Sequence, residues 1–76
     1  NGKVEGAKVS RHNAAIGEVG VITKDIIGLK PGKIEFELPV MGAKVWLAVS
    51  NKDIPKGKKA KIVDIKGQYL EVEPVE

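Results

Sequence analysis

Ile54-Pro55-Lys56-Gly57-Lys58-Lys59-Ala60-Lys61-Ile62-Val63-Asp64-Ile65-Lys66-Gly67-Gln68-Tyr69-Leu70-Glu71-Val72-Glu73-Pro74 is the stretch that decides the fold. Two runs, Lys59–Ile65 and Tyr69–Val72, flank the turn Lys66-Gly67-Gln68. Their Ile, Val, Tyr and Leu residues favour strand, because β-branched and aromatic side chains pack well on a pleated surface. Gly67 stands where a tight hairpin needs a residue able to take positive φ. Pro55-Lys56-Gly57 is a turn leading into the first of the two strands. A hairpin with one apolar face results, and the upstream chain has to cover that face. Ala60 and Ile62 share a parity that Ile65 breaks. A one-residue bulge near Val63-Asp64 would bring all three to one side.

Working back from the hairpin, Lys33–Leu38 alternates cleanly, with Ile34, Phe36 and Leu38 expected inward and the charges outward. Ala43–Ser50 reads as a strand with Ala43, Val45, Leu47 and Val49 on one face and Trp46 and Ala48 on the other, so both faces call for some cover. Ile16–Thr23 is the first strand, with Val19, Val21 and Thr23 on one face. Gly20 inside it permits the sharp bend that a small barrel requires. The loop Lys24–Gly32 holds Ile26, Ile27 and Leu29, which are expected to plug a barrel end. No helix-period segment of useful length survives. Five short strands with Gly-rich turns define an all-β barrel, OB-like or SH3-like. Residues 1–14 read as a linker or disordered lead-in, and 15–76 as the barrel.

A chain of 76 residues supports one domain and one small core. It has no cysteine, which rules out disulfides and mildly favours a reducing compartment. Its longest apolar run, Val45–Val49, is far short of the ~20 residues that span a bilayer. The first residue is Asn1 rather than Met, so the chain reads as a piece of something longer. The net charge of +3, from 13 basic and 10 acidic residues, permits contact with nucleic acid or anionic membrane without demanding it.

Ile16-Gly17-Glu18-Val19-Gly20, Leu29-Lys30-Pro31-Gly32-Lys33-Ile34, Trp46-Leu47-Ala48, Ile54-Pro55-Lys56-Gly57 and Leu70-Glu71-Val72-Glu73-Pro74 stand in an order that resembles the C-terminal soluble domain of the NfeD family. The resemblance implies a five-stranded Greek-key barrel of OB type. It also implies tethering behind transmembrane helices supplied by a missing upstream segment; placement on the cytoplasmic side is a separate expectation, which the resemblance does not fix. The implied partner is a stomatin- or flotillin-like membrane scaffold protein, with weak self-association as a further expectation. Longer relatives carry a serine-protease domain, and nothing of that kind stands in this sequence. Pro39-Val40-Met41-Gly42 departs from the family pattern, being longer and more apolar than a short polar turn.

Catalysis is not expected. His12 is the only histidine and lies in the lead-in, whereas a general base needs positioned partners. Ser10, Ser50, Thr23 and Tyr69 show no spacing with a base and an orienting acid. The pairs Glu35/Glu37 and Glu71/Glu73 read as solvated outer faces. One histidine without cysteine does not make a zinc site, and no metal or cofactor is expected. The expected function is a non-catalytic protein–protein interaction module. Val40, Met41 and Trp46 are its candidate contact residues, because an apolar turn tip has little core to join. The competing placement folds Val40 and Met41 back over the barrel mouth. The alternative function is single-stranded nucleic-acid binding, with Trp46 as a stacking surface and Lys56, Lys58, Lys59 and Lys61 on phosphates. Glu35 and Glu37 oppose it. Those lysines otherwise form a solvated hairpin entrance or a surface near anionic lipid headgroups.

Overall fold

A computed structural model describes residues 15–75. The expected lead-in, and His12, Ser10 and Glu76, lie outside the described residues. Five strands follow one another: β1 Val19–Lys24, β2 Gly32–Val40, β3 Ala43–Val49, β4 Lys59–Lys66 and β5 Tyr69–Pro74. They close a barrel in the order β1-β2-β3-β5-β4, with β4 returning to β1. All pairings are antiparallel except β3 with β5, where Leu47 lies beside Tyr69 and Val49 beside Glu71. One parallel pairing across an otherwise antiparallel closed barrel is the OB-type Greek key. The SH3-like alternative is set aside by this strand order.

The hairpin β4–β5 forms around Gly67-Gln68, with Lys66 opposite Tyr69. Gly67 takes φ 65°, as a two-residue hairpin with glycine first requires. The register between β4 and β5 shifts from Ile62↔Val72 to Asp64↔Glu71, which leaves Val63 as the extra residue. This bulge carries Ile65 onto the side of Ala60 and Ile62, where it packs against the core. The core joins Ile22, Ile34, Phe36, Ala48, Ala60, Ile62, Leu70 and Val72 from all five strands.

Two strands turn the opposite face inward from the one their valines suggest. In β1, Gly20 and Ile22 are buried while Val19 and Val21 are exposed. β1 serves two neighbours, because Val21 pairs with both Glu35 of β2 and Lys59 of β4. At that junction a Cβ on Gly20 would stand 2.7 Å from the Glu35 carbonyl oxygen and 2.8 Å from the Phe36 ring. The missing side chain is what lets β1 lie so close over β2. In β3, Ala48 is fully buried and Trp46 half-buried, and Val45 and Leu47 face outward.

Leu38 is the one residue of the clean β2 alternation that does not go in, being 77% exposed. Pairing with β3 lapses between Glu35↔Val45 and Val40↔Ala43, so β2 carries extra residues there. Pro39 has no N–H to give the ladder. By this point β1 has left β2 for β4, so no strand remains to cover Leu38.

The loop between β1 and β2 plugs the barrel only in part. Ile26 is fully buried, its backbone exchanging hydrogen bonds of 2.9 Å with Ile54 in both directions. Ile27 and Leu29, expected beside it, point out instead at 58% and 89% exposure. The loop closes on itself as a miniature turn, Lys30 N–H donating to the Ile27 carbonyl at 3.0 Å, with Gly28 at φ 61°. Two neighbouring side chains brace it. Asp53 accepts from the Gly28 N–H at 2.8 Å, and Asp25 from the Lys56 N–H at 2.6 Å.

Candidate functional site

The candidate contact residues Val40, Met41 and Trp46 come together at the end of the barrel away from that loop. Val40 pairs with Ala43, so the connection between β2 and β3 is only Met41-Gly42. Pro39 and Val40 belong to the strand, which makes the turn shorter than the sequence suggests. Both turn residues have positive φ, 50° for Met41 and 90° for Gly42. Two positive φ angles in a two-residue loop define the type I′ hairpin, which favours Asn, Asp or Gly at both positions. Methionine at the first is a local misfit, since an L residue held in this region loses about 1–2 kcal/mol.

Packing and hydrogen bonds hold the misfit in place. Val40 is buried in the core, and Met41 and Trp46 pack half-buried against it. The Trp46 indole N–H is shared between the carbonyl oxygens of Val40 and Ala43, both at 3.0 Å. Those are the two residues that close the turn. Thus Val40 does not project from the tip. It folds back over the barrel mouth, and of the three residues Met41 sits at the turn tip itself. Trp46 is committed to the hairpin by its N–H rather than standing free on the wall. Glu35 and Glu37, expected outside, are exposed on β2.

Beside this turn lies a cleft of about 530 Å³. Its apolar lining includes Val19, Phe36, Leu38, Pro39 and Met41, and Glu18 and Glu37 also line it. The uncovered Leu38 and the strained Met41 therefore share one concave surface. Leu38 was absent from the expected contact set. Its signal in the sequence is Pro39, which interrupts strand pairing next to an apolar residue.

Among the described residues no group of three His, Cys, Asp or Glu side chains is placed to hold a metal ion. Among the described residues, no helix is long and apolar enough to cross a membrane.

The fold and cleft define the class: a small OB-type barrel with an apolar cleft open at one mouth. The comparisons agree with that class. A family model described as the NfeD-like C-terminal, partner-binding domain matches residues 12–74, and the chain belongs to that family. Among solved structures, the chain is similar to the C-terminal domain of stomatin operon partner protein 1510-C from Pyrococcus horikoshii. The TM-score is 0.69 with 27% identity, covering 86% of this chain and 94% of that one. A second similar structure is the soluble domain of a membrane protein implicated in regulation of membrane protease activity from Corynebacterium glutamicum. There the TM-score is 0.66 with 22% identity, over 84% and 95% of the two chains. No curated protein matches significantly.

Proposed function

We propose that this barrel is a non-catalytic protein–protein interaction module. In this reading it is the soluble OB domain of an NfeD-like membrane protein that pairs with a stomatin- or flotillin-like scaffold. It is held at the membrane by a segment outside the 76 residues and faces the cytoplasm. The observation that carries the reading is the misfit Met41, kept in a left-handed conformation on the rim of an apolar cleft. Strain retained at an exposed apolar rim points to a contact surface, because local rules are broken where function requires it. Val40 and Trp46 set the shape of this surface from beneath, and Met41 and Leu38 touch the partner. Support for the partner class comes from the family description and from the printed name of the Pyrococcus relative.

The test is co-purification of the domain with a stomatin-like scaffold protein, alongside thermal melting. Leu38→Glu should leave the melting temperature nearly unchanged, because its side chain is largely in water. It should weaken scaffold binding at least about tenfold, as expected when a charge replaces an interface apolar group. Met41→Glu should weaken binding similarly while lowering stability slightly. Unchanged binding by the Leu38→Glu variant would remove the cleft from the account.

A further inference from the structure

The opposite mouth of the barrel carries a second surface that partner binding at the cleft does not use. From it we infer that the β1–β2 loop docks on an anionic lipid bilayer, with Ile27 and Leu29 entering the interfacial layer and a ring of lysines resting on the headgroups.

The loop tip presents two large aliphatic side chains to water, Leu29 at 89% exposure and Ile27 at 58%. Nothing about it is slack. The Ile27–Lys30 turn is closed by its own hydrogen bond, Ile26 anchors it in the core against Ile54, and Asp53 and Asp25 fasten its flanks. A braced loop offering aliphatic residues can bury them in a bilayer without first losing conformational freedom.

Six exposed lysines belong to the loop, its flanking strand ends or the segments bonded to it: Lys24, Lys30, Lys33, Lys52, Lys56 and Lys58. Among the described residues two carboxylates share this end, Asp25 and Asp53, and both already accept backbone N–H groups. The rest of the described surface has the reverse balance. There Glu18, Glu35, Glu37, Asp64, Glu71 and Glu73 outnumber Lys44, Lys59, Lys61 and Lys66. The barrel is therefore polarised, with its positive pole around its apolar tip. Lys24 and Lys33 are directly paired across β1 and β2. Like charges set opposite one another destabilise a sheet, and an anionic surface relieves that repulsion.

The chemistry of the ring selects lipid over other anionic partners. Every cation in it is lysine, and the described residues contain no arginine. Lysine is a point charge suited to a diffuse field, whereas bidentate recognition of a shaped anionic site calls for arginine. The chain's three aromatic residues, Phe36, Trp46 and Tyr69, lie on β2, β3 and β5 rather than in this loop. The tip thus lacks the rings on which bases stack and the aromatic anchors typical of protein hot spots. Aliphatic tip and lysine collar match a bilayer interface, where apolar insertion and headgroup attraction act together.

The experiment is co-sedimentation of the 76-residue chain with phosphatidylcholine vesicles, with and without phosphatidylserine. Binding is expected to the mixed vesicles, with little to pure phosphatidylcholine, and to fall as salt rises. Leu29→Glu should reduce it about tenfold or more, and Lys30→Gln about fivefold, as loss of one surface lysine implies. The chain has no cysteine, so Leu29→Cys gives a unique attachment for an environment-sensitive fluorophore. Its emission should shift to the blue on mixed vesicles, while the same label at Leu38→Cys, exposed at the opposite mouth, should not shift. Equal binding to neutral vesicles, full binding by Leu29→Glu, or an unshifted label at position 29 would overturn the inference. Failure to bind vesicles while a single-stranded oligonucleotide binds through the same lysines would overturn it in favour of nucleic acid. None of these outcomes bears on the cleft, whose reading stands or falls on the scaffold-binding assay.

Discussion

The two mouths of the barrel are built from similar material and end differently. Each carries apolar residues where the chain turns, Val40-Met41 at the end of β2 and in the turn to β3, and Ile26-Ile27-Leu29 between β1 and β2. The sequence leaves open whether the first projects or folds back over the mouth, and suggests that the second plugs. At both mouths one residue goes fully in and its neighbour stays at the rim or beyond: Val40 and Ile26 join the core, Met41 is half-buried, and Ile27 is exposed. Connection length accounts for the difference. A two-residue turn cannot reach away from the strands it joins, so its apolar side chains are drawn over the mouth. Asp25–Pro31 is long enough to close a turn of its own. After pinning Ile26 it sends Ile27 and Leu29 outward. Apolar content alone does not decide whether a connection caps a core; the geometry available to the chain does.

The largest effects should come from the residues that seal each mouth. Phe36 lies beneath the cleft and Ile26 beneath the loop, both buried. Phe36→Ala should cost about 3–5 kcal/mol and Ile26→Ala about 2–5 kcal/mol in chemical denaturation. Leu29→Ala, three positions from Ile26, should fall within about 0.5 kcal/mol of the parent. A loss at Leu29 comparable with that at Ile26 would mean that the loop tip is packed rather than free, and the contrast between the mouths would vanish.

An intermediate effect is expected from the hydrogen bond that only the short turn has. Trp46→Phe keeps an aromatic ring and removes the indole N–H shared by the Val40 and Ala43 carbonyls. The loss should be about 0.5–1.5 kcal/mol, the usual net value of a hydrogen bond. A variant as stable as the parent would show that packing alone holds the turn.

How much of this was legible follows the same division. The β4–β5 hairpin was readable down to its bulge, because Gly67 and the broken parity at Ile65 are local signals. The inward positions Ile34 and Phe36 of β2 followed from alternation. The faces of β1 and β3 did not, since in Val19-Gly20-Val21-Ile22 both parities are apolar. What selects Gly20 and Ile22 is the closeness of β2, a tertiary fact that alternation does not carry. Leu38 fits the alternation and is nevertheless exposed, because exposure there depends on where β1 ends relative to β2. At the candidate site the sequence groups the three residues but does not give their burial. Val40 is buried and Trp46 half-buried against the core, and the positive φ at Met41 is a property of the register that no spacing reveals. At the loop mouth the lysines were visible as scattered charges. Only the fold gathers Lys24, Lys33 and Lys52 beside Lys56 and Lys58.

The smallest expected effect is the one that tests the strain at Met41. Its φ of 50° is unfavourable for any L residue and most unfavourable for a β-branched one. Glycine carries no such penalty, but it gives up the half-buried packing that methionine makes against the core. For Met41→Gly the two terms oppose each other. Relief of about 1–2 kcal/mol of backbone strain offsets a packing loss below that of a fully buried methionine. The net change should lie within about 1 kcal/mol of the parent. Met41→Val retains apolar surface yet places a branched side chain at positive φ, so it should be the less stable of the two variants. Denaturation midpoints for the pair decide the matter. Valine more stable than glycine would mean that packing outweighs backbone conformation at this turn. Met41 would then be an ordinary core residue, and the cleft would lose the strain on which its proposed role as a contact surface rests.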